Sequence, residues 1–288
     1  MKGSFSADPT LSKRVFDLLD IVFPGVPQVA QNARALGASW ESVSTPFVHI
    51  DGDRVLSHVG VIELPLILHG QLVRVGSIHA VATHPNSRRR GYYGQLMEEI
   101  LQNYAPRYKT LILTTEHPEY FQPFGFRYIQ EHLFTVKPRG TSGRNGMRLM
   151  NLREANDIAL LHRLLETREP VSNVVGVVQE KAIFCVNEGT RPLHHIPELD
   201  VMVCLEQEGT RLRVLDIVGP KVPTLAALLE QMSQPIEEVA ICFSADRLAV
   251  EAQVTPYIFD HDGPTYLMVR GPFAPENSPF TLPRSART

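Results

Sequence analysis

Residues 78–97, with the sequence IHAVATHPNSRRRGYYGQLM, decide the fold of this chain. The stretch reads as an apolar strand, a polar turn, three arginines and two glycines, and then an amphipathic helix. The first amides of a helix have no partner within it, and the helix dipole favours negative charge at that end. Glycine lets a ligand approach the backbone, and guanidinium groups offer paired donors to a phosphate. The stretch therefore predicts an anion site between a strand and a helix.

The glycines and arginines do not form either of two common phosphate-binding motifs. The chain lacks the lysine loop Gly-x4-Gly-Lys-Ser/Thr and the dinucleotide fingerprint Gly-x-Gly-x-x-Gly at this point. What remains is Arg88-x-x-Gly91-x-Tyr93. This resembles the Gln/Arg-x-x-Gly-x-Gly/Ala signature of the GNAT superfamily of acyl-CoA-dependent N-acyltransferases, with a tyrosine in place of the usual last glycine or alanine. The arginine triplet and the two large residues after its glycine most resemble the branch of the enhanced-intracellular-survival acetyltransferases, whereas a lone basic triplet is ordinarily a solvated turn.

A second segment, about the expected distance along the chain, extends the resemblance. Residues 110–115 read as a buried strand, and residues 118–126, PEYFQPFGF, follow it. The latter is similar to the Tyr-x-x-Phe-Gly-Phe element that closes the acyl-CoA site in the family. Phe121 stands where the family often has a tyrosine that acts as the general acid, and Tyr120 precedes it.

Composition narrows the class of protein. The chain has 288 residues, 43% of them hydrophobic, and a net charge of −3, so we expect two domains and no nucleic-acid partner. No apolar stretch approaches the ~18 residues of a membrane span, and we expect no membrane partner. The three cysteines, Cys185, Cys204 and Cys242, are far apart and suggest neither a disulfide framework nor a metal site. We therefore expect a cytoplasmic protein, and a homo-oligomer is left open.

The order of elements predicts an α/β chain with mixed sheets, a GNAT fold in two tandem modules. Two helices, a three-stranded meander, a helix and a strand fill the first half, and a similar order recurs in the second. We assign residues 1–137 to a GNAT N-acetyltransferase domain, 138–146 to a linker and 147–288 to a second GNAT-like domain without a cofactor motif. In that second half, residues 182–186 and 201–206 read as strands, and the proline-rich tail after residue 269 is expected to be loose.

The resemblance implies where acetyl-CoA, the cosubstrate, would bind. It would lie in a V-shaped gap between the strand that ends at Thr83 and the strand of residues 110–115. Main-chain groups of Val81 and Thr83 would pair with the pantetheine arm. The pyrophosphate would be held by the turn, which comprises Arg88, Arg89, Arg90, Gly91, Tyr92, Tyr93 and Gly94.

The resemblance also implies an N-acetyltransferase that works by direct attack of an amine on the thioester in a ternary complex. The acceptor would be a small-molecule or protein amine. We assign Tyr120 as the candidate acid and Glu63 as the candidate base; His79, Glu116 and His117 are other base candidates. Because Phe121 cannot donate a proton, the alternative is a non-catalytic acyl-CoA-binding or assembly protein.

Overall fold

The computed structural model describes residues 1–104, 106–138, 143–178, 180–260 and 263–288. The α-helices of these residues are α1 Pro9–Val22, α2 Val26–Ala35, α3 Tyr92–Tyr104, α4 Ala155–Thr167, α5 Ala182–Glu188 and α6 Leu225–Leu229. The strands are β1 Ser44–Asp51, β2 Arg54–Leu68, β3 Gln71–Thr83, β4 Leu111–Thr115, β5 Arg127–Ile129, β6 Glu131–Val136, β7 Arg148–Leu149, β8 Val175–Val177, β9 Leu193–Ile196, β10 Val201–Glu208, β11 Arg211–Val218, β12 Glu238–Ile241, β13 Gln253–Tyr257, β14 Phe259–Asp260 and β15 Pro264–Arg270.

The first sheet has the strand order β1-β2-β3-β4-β15-β14, with β5 beside β15 and β8 beside β2. Strands β1 to β3 form an antiparallel meander, and β3 continues through α3 into the parallel strand β4. Asp8 caps α1 by accepting from the amides of Thr10 and Leu11. The predicted order of two helices, meander, helix and strand is confirmed.

The second sheet repeats this plan with the order β13-β6-β12-β11-β10-β9-β7. Strands β9, β10 and β11 are antiparallel neighbours, and β11 leads through α6 to the parallel strand β12. In place of the arginine turn, the loop before α6 carries Pro220 and Pro223, which have no amide to donate. The chain is thus a mixed α/β protein with two GNAT-like sheets.

The two sheets exchange inner strands. Strand β15, from the end of the chain, lies between β4 and β5 in the first sheet, and β6 lies between β12 and β13 in the second. The predicted domains, residues 1–137 and 147–288, divide the chain by sequence. The sheets do not follow this division, because each sheet takes an inner strand from the other side of the linker. Of that linker, residues 139–142 lie outside the described residues, and the amides of Arg144 and Gly146 bond to carbonyls at the end of α6.

Two expectations for the second half are wrong. Residues 182–186 are helical, not a strand, because Glu180 accepts from the amide of Ile183 and α5 closes at Gly189. A short apolar run has no periodicity that separates a helix turn from a buried strand. The tail is not loose: Phe280 and Thr281 are fully buried, and residues 282–287 are nearly so.

The first sheet is covered on both faces, and this arrangement creates the cleft described below. Helix α1 packs on one face, where its apolar side chains meet Ile62, Leu64 and Ile183. Helix α3 packs on the other face through Leu96 and Ile100. A site open to both faces must therefore lie where strands of this sheet separate.

Candidate active site

The cleft begins where β3 and β4 part. The two strands pair at Gly76 with Leu111 and at Ser77 with Ile112, and no further, although β3 continues to Thr83. A β-bulge in β3 redirects the strand: Ala80 has φ +49°, and its carbonyl accepts from His58 Nδ1 at 2.7 Å. The parting leaves a V-shaped cleft of 1560 Å³. The predicted gap between these strands is therefore present.

The turn between β3 and α3 lines one end of this cleft. Arg88 Nε donates to the carbonyl of Thr83 at 3.3 Å, and Arg90 donates to the carbonyl of Asn86 at 3.3 Å, so these side chains brace the turn. Arg89 and Gly91 have positive φ, +62° and +80°, and the first helical bond runs from the Gln95 amide to Gly91. Among the described residues, the amides of 89–94 have no acceptor.

This turn fits the pyrophosphate of an acyl-CoA. Unpaired amides at a helix start and two or three nearby guanidiniums are the donors that a phosphate needs. A Cβ on Gly94 would meet nothing within 4 Å, so the surface above the first turn of α3 is open. Val81 and Thr83 line the same cleft on the edge of β3 that β4 has left.

The aromatic segment after β4 closes the same end. Tyr93 donates its hydroxyl to the carbonyl of Tyr120 at 3.0 Å, and its ring lies edge-on to Phe121 and Phe124. Burial raises the pKa of the Tyr93 hydroxyl. Phe121 is 5% exposed and belongs to the core beneath α3, whereas Tyr120 is 56% exposed and lines the cleft beside His117.

The structure does not bring Glu63 into the cleft. Its carboxylate accepts from the Tyr108 hydroxyl at 2.6 Å and from Arg107 at 3.0 Å, with Arg74 at 3.6 Å. The bond from Tyr108, followed by the arginines, lowers the pKa of Glu63. Glu63 is therefore an ion-paired group outside the cleft and is not placed to take a proton from an acceptor there.

His79 is the base candidate on the α1 face. Its Nε2 lies 3.0 Å from Ser44 Oγ, and its ring meets Trp40 edge-on at 5.0 Å. Gly60 makes room for the ring, because a Cβ there would lie 2.4 Å from Nε2. Burial, with a smaller contribution from His58, lowers the pKa of His79 well below its ordinary value, so the imidazole is neutral near pH 7.

The end of the chain forms part of the cleft, which the sequence did not indicate. Thr288 sits where β3 and β4 part: its Oγ1 lies 2.5 Å from Ser77 Oγ, and its carbonyl oxygen accepts from Thr114 Oγ1 at 2.6 Å. Asn187 of α5 holds the segment by donating to the carbonyls of Arg284 and Arg287.

The buried charges of the tail tie it to α5 and to the second sheet. The guanidinium of Arg284 donates two hydrogen bonds of 2.7 Å to the carboxylate of Glu188 and also contacts Glu206. Arg287 donates to Glu131 of β6 at 2.6 Å, and Ser285 donates to Asp216 of β11. These pairs hold Thr288 in the cleft.

Two further features bear on the class of site. Within the described ranges, no group of three or more His, Cys, Asp or Glu side chains is arranged to hold a metal ion. No helix in those ranges combines the length and the apolar character that a membrane span requires.

Comparisons with known proteins agree with this geometry. Residues 6–129 match the family model of the acetyltransferase (GNAT) domain. No curated protein sequence matches the chain. A conserved Enterococcus faecalis V583 protein, described as a probable N-acyltransferase, superposes with a TM-score of 0.59 at 14% identity over 95% of this chain and 72% of its own.

Two other solved structures share the fold. A GCN5-related N-acetyltransferase from Kribbella flavida gives a TM-score of 0.55 at 15% identity, over 90% of this chain and 68% of its own. Eis1 from Mycobacterium abscessus gives 0.55 at 12% identity, over 88% and 70%. At these identities the likeness shows the fold, while the family model identifies the first half. Residues 6–129 are therefore similar to the GNAT acetyltransferase domain, and the chain as a whole shares its fold with these solved structures.

Proposed function

We propose that this protein transfers an acetyl group from acetyl-CoA to an amine. One observation carries the proposal: the strands β3 and β4 part beside a helix start whose first amides are unpaired, and both features line one cleft. Acetyl-CoA would supply an acyl carbon already activated as a thioester, so no covalent enzyme intermediate is required.

The chain's own residues would bind and orient the donor. Amides of 89–94 face the pyrophosphate, and the free edge of β3 at Val81 and Thr83 offers main-chain groups to the pantetheine arm. Because pyrophosphate binding at a helix start uses amides and the helix dipole, Arg88 and Arg90 can brace the turn without contacting the ligand themselves.

The proton donor in this proposal is Tyr120. Its hydroxyl is on an exposed side chain at the cleft, while the buried Phe121 has no proton to give. On the acceptor side, the neutral His79 can accept a hydrogen bond but is a weak base, so the amine is expected to react in its uncharged form.

A thiol-release assay with acetyl-CoA and a panel of amines tests the proposal. We expect turnover by the parent protein and a rise in melting temperature with CoA, since a ligand that binds only the folded state stabilises it. The non-catalytic alternative predicts the thermal shift without turnover. Phe121→Tyr, which restores the family's hydroxyl position, separates the two further: a rise in kcat would show that the site is catalytic and limited by its acid. No thermal shift at millimolar CoA would refute the cofactor assignment itself.

A further inference from the structure

The wall of the cleft on the α1 face indicates which kind of amine the protein acetylates. We propose that the acceptor is a monoamine carried on an apolar body, an aryl or alkyl amine, and not a polycation. The inference rests on the proposed function, because it concerns the second substrate of the same cleft.

The wall is built from apolar side chains of three helices. The cleft is lined by Phe16, Val22 and Phe23 of the α1 region, Val26 of α2 and Ile183 of α5, together with Trp40 from the turn between α2 and β1. Phe23 is 41% exposed, and Phe16 packs on the Trp40 ring at 5.3 Å between centroids. A large aromatic left exposed beside an apolar groove is typical of a surface that receives an apolar ligand.

The same wall offers no counterion to a second ammonium group. None of the residues that α1, α2 and α5 contribute to the cleft, all of them described, is acidic, and Arg191 adds positive charge just past the end of α5. Nearby carboxylates point to other partners: Asp20 accepts from the Gly25 amide at 3.0 Å, and Glu41 accepts from Ser39 Oγ at 2.8 Å. An ammonium group held against this wall would therefore lose its water without compensation, because the acidic residues that line the cleft, Glu116 and Glu119, follow β4 and are not part of this wall.

An apolar wall also supplies the reactive form of the amine. Desolvation disfavours the charged ammonium, so an amine held against this wall loses its proton to water more readily than in bulk solvent. The free amine then forms the new C–N bond to the acetyl carbon while the C–S bond breaks. The surplus proton on nitrogen passes to water, and the departing thiolate takes a proton from Tyr120 or water. This accounts for the presence of a weakly basic residue, His79, on the acceptor side of the cleft.

A panel of four amines tests the substrate class. 2-Phenylethylamine and hexylamine represent apolar monoamines, ethanolamine is a small polar control, and spermidine is a polycation. We expect kcat/KM for the two apolar amines to exceed that for spermidine and ethanolamine by about 10-fold or more, the discrimination that apolar contacts give. A preference of the parent protein for spermidine would overturn the inference while leaving acetyl transfer intact.

A pair of matched variants tests whether the preference for apolar amines arises at this wall. Phe23→Asp places a carboxylate on the wall, and Ile21→Asp places one on a residue that is 52% exposed and outside the cleft. Phe23→Asp is expected to lower kcat/KM for 2-phenylethylamine about 10-fold and to raise it for spermidine, while Ile21→Asp leaves both unchanged. Equal effects of the two variants would contradict the assignment of this wall.

A binding measurement distinguishes the two proposals. The melting temperature with CoA present is recorded with and without each amine. A shift with 2-phenylethylamine and none with spermidine, in the absence of any turnover, would support the apolar acceptor site and refute acetyl transfer. An absence of both turnover and shift for the apolar amines would overturn the inference.

Discussion

Acidification is expected to destabilise this protein through the buried His58. The ring is fully buried at the β3 bulge, where Nδ1 donates to Ala80 and Nε2 has no partner among the described residues. Burial lowers the pKa of His58 from 6.5 to about 4. Between these values the unfolded chain binds a proton that the folded chain does not, so the free energy of unfolding falls as the pH decreases. The two pKa values give a loss of about 2 kcal/mol between pH 7.5 and pH 5.0, and about 3 kcal/mol once the pH is well below 4.

The variant His58→Asn isolates this effect. Its side-chain amide occupies the position of Nδ1 and can still donate to Ala80, but it does not titrate. Urea unfolding at pH 7.5 and 5.0 should show that the variant loses about 2 kcal/mol less than the parent on acidification. Leu64→Ala, a buried cavity variant in the same sheet, should cost the same at both pH values. An acid loss in His58→Asn equal to that of the parent would refute the reasoning.

Three further outcomes are expected. Gly91→Asp adds a negative charge and a side chain where φ is +80°, and it should weaken CoA binding by about 10-fold or more in calorimetry. Arg144→Ala, in the exposed linker, should leave CoA affinity unchanged. Equal affinities of the two variants would contradict the placement of the pyrophosphate site at this turn. Tyr120→Phe should lower kcat about 100-fold or more without changing acetyl-CoA affinity, and an unchanged rate would remove Tyr120 as the acid. Arg284→Met should lower the free energy of unfolding by about 3–5 kcal/mol, because it leaves the fully buried Glu188 unpaired; a loss below about 1 kcal/mol in urea unfolding would contradict a paired buried charge.

The strand, turn and helix start at the candidate cofactor end of the cleft could be predicted from sequence because their determinants are local. A strand, a turn with glycine at positive φ and a helix start fall within 20 consecutive residues, and their chemistry depends on backbone conformation more than on distant partners. The same holds for the buried strand of residues 111–115 and the aromatic segment after it.

The acceptor end could not be predicted, because distant segments meet there. Thr288 reaches Thr114 across 174 positions of sequence, and Asn187 reaches Arg287 across 100. The position of Glu63 outside the cleft could not be predicted for a related reason: the sequence pattern places it near a strand end but does not reveal Tyr108, 45 positions later, as its partner. The apolar run at α5 is also too short for its periodicity to distinguish a helix from a strand.

The exchanged strands explain why the second half of the chain contributes to the cleft of the first. Without β15, strand β4 would have an open edge on the side away from β3, and β5 would have no neighbour. The residues after β15 then run between the two sheets and end where β3 and β4 part. The second half has lost or never had a phosphate turn of its own, yet it contributes α5 to the acceptor wall and the tail to the floor of the cleft. Its role in the proposed reaction is therefore to complete the cleft and hold it in place. Substitutions in β15, α5 or the tail should affect acceptor recognition more than they affect the pyrophosphate turn.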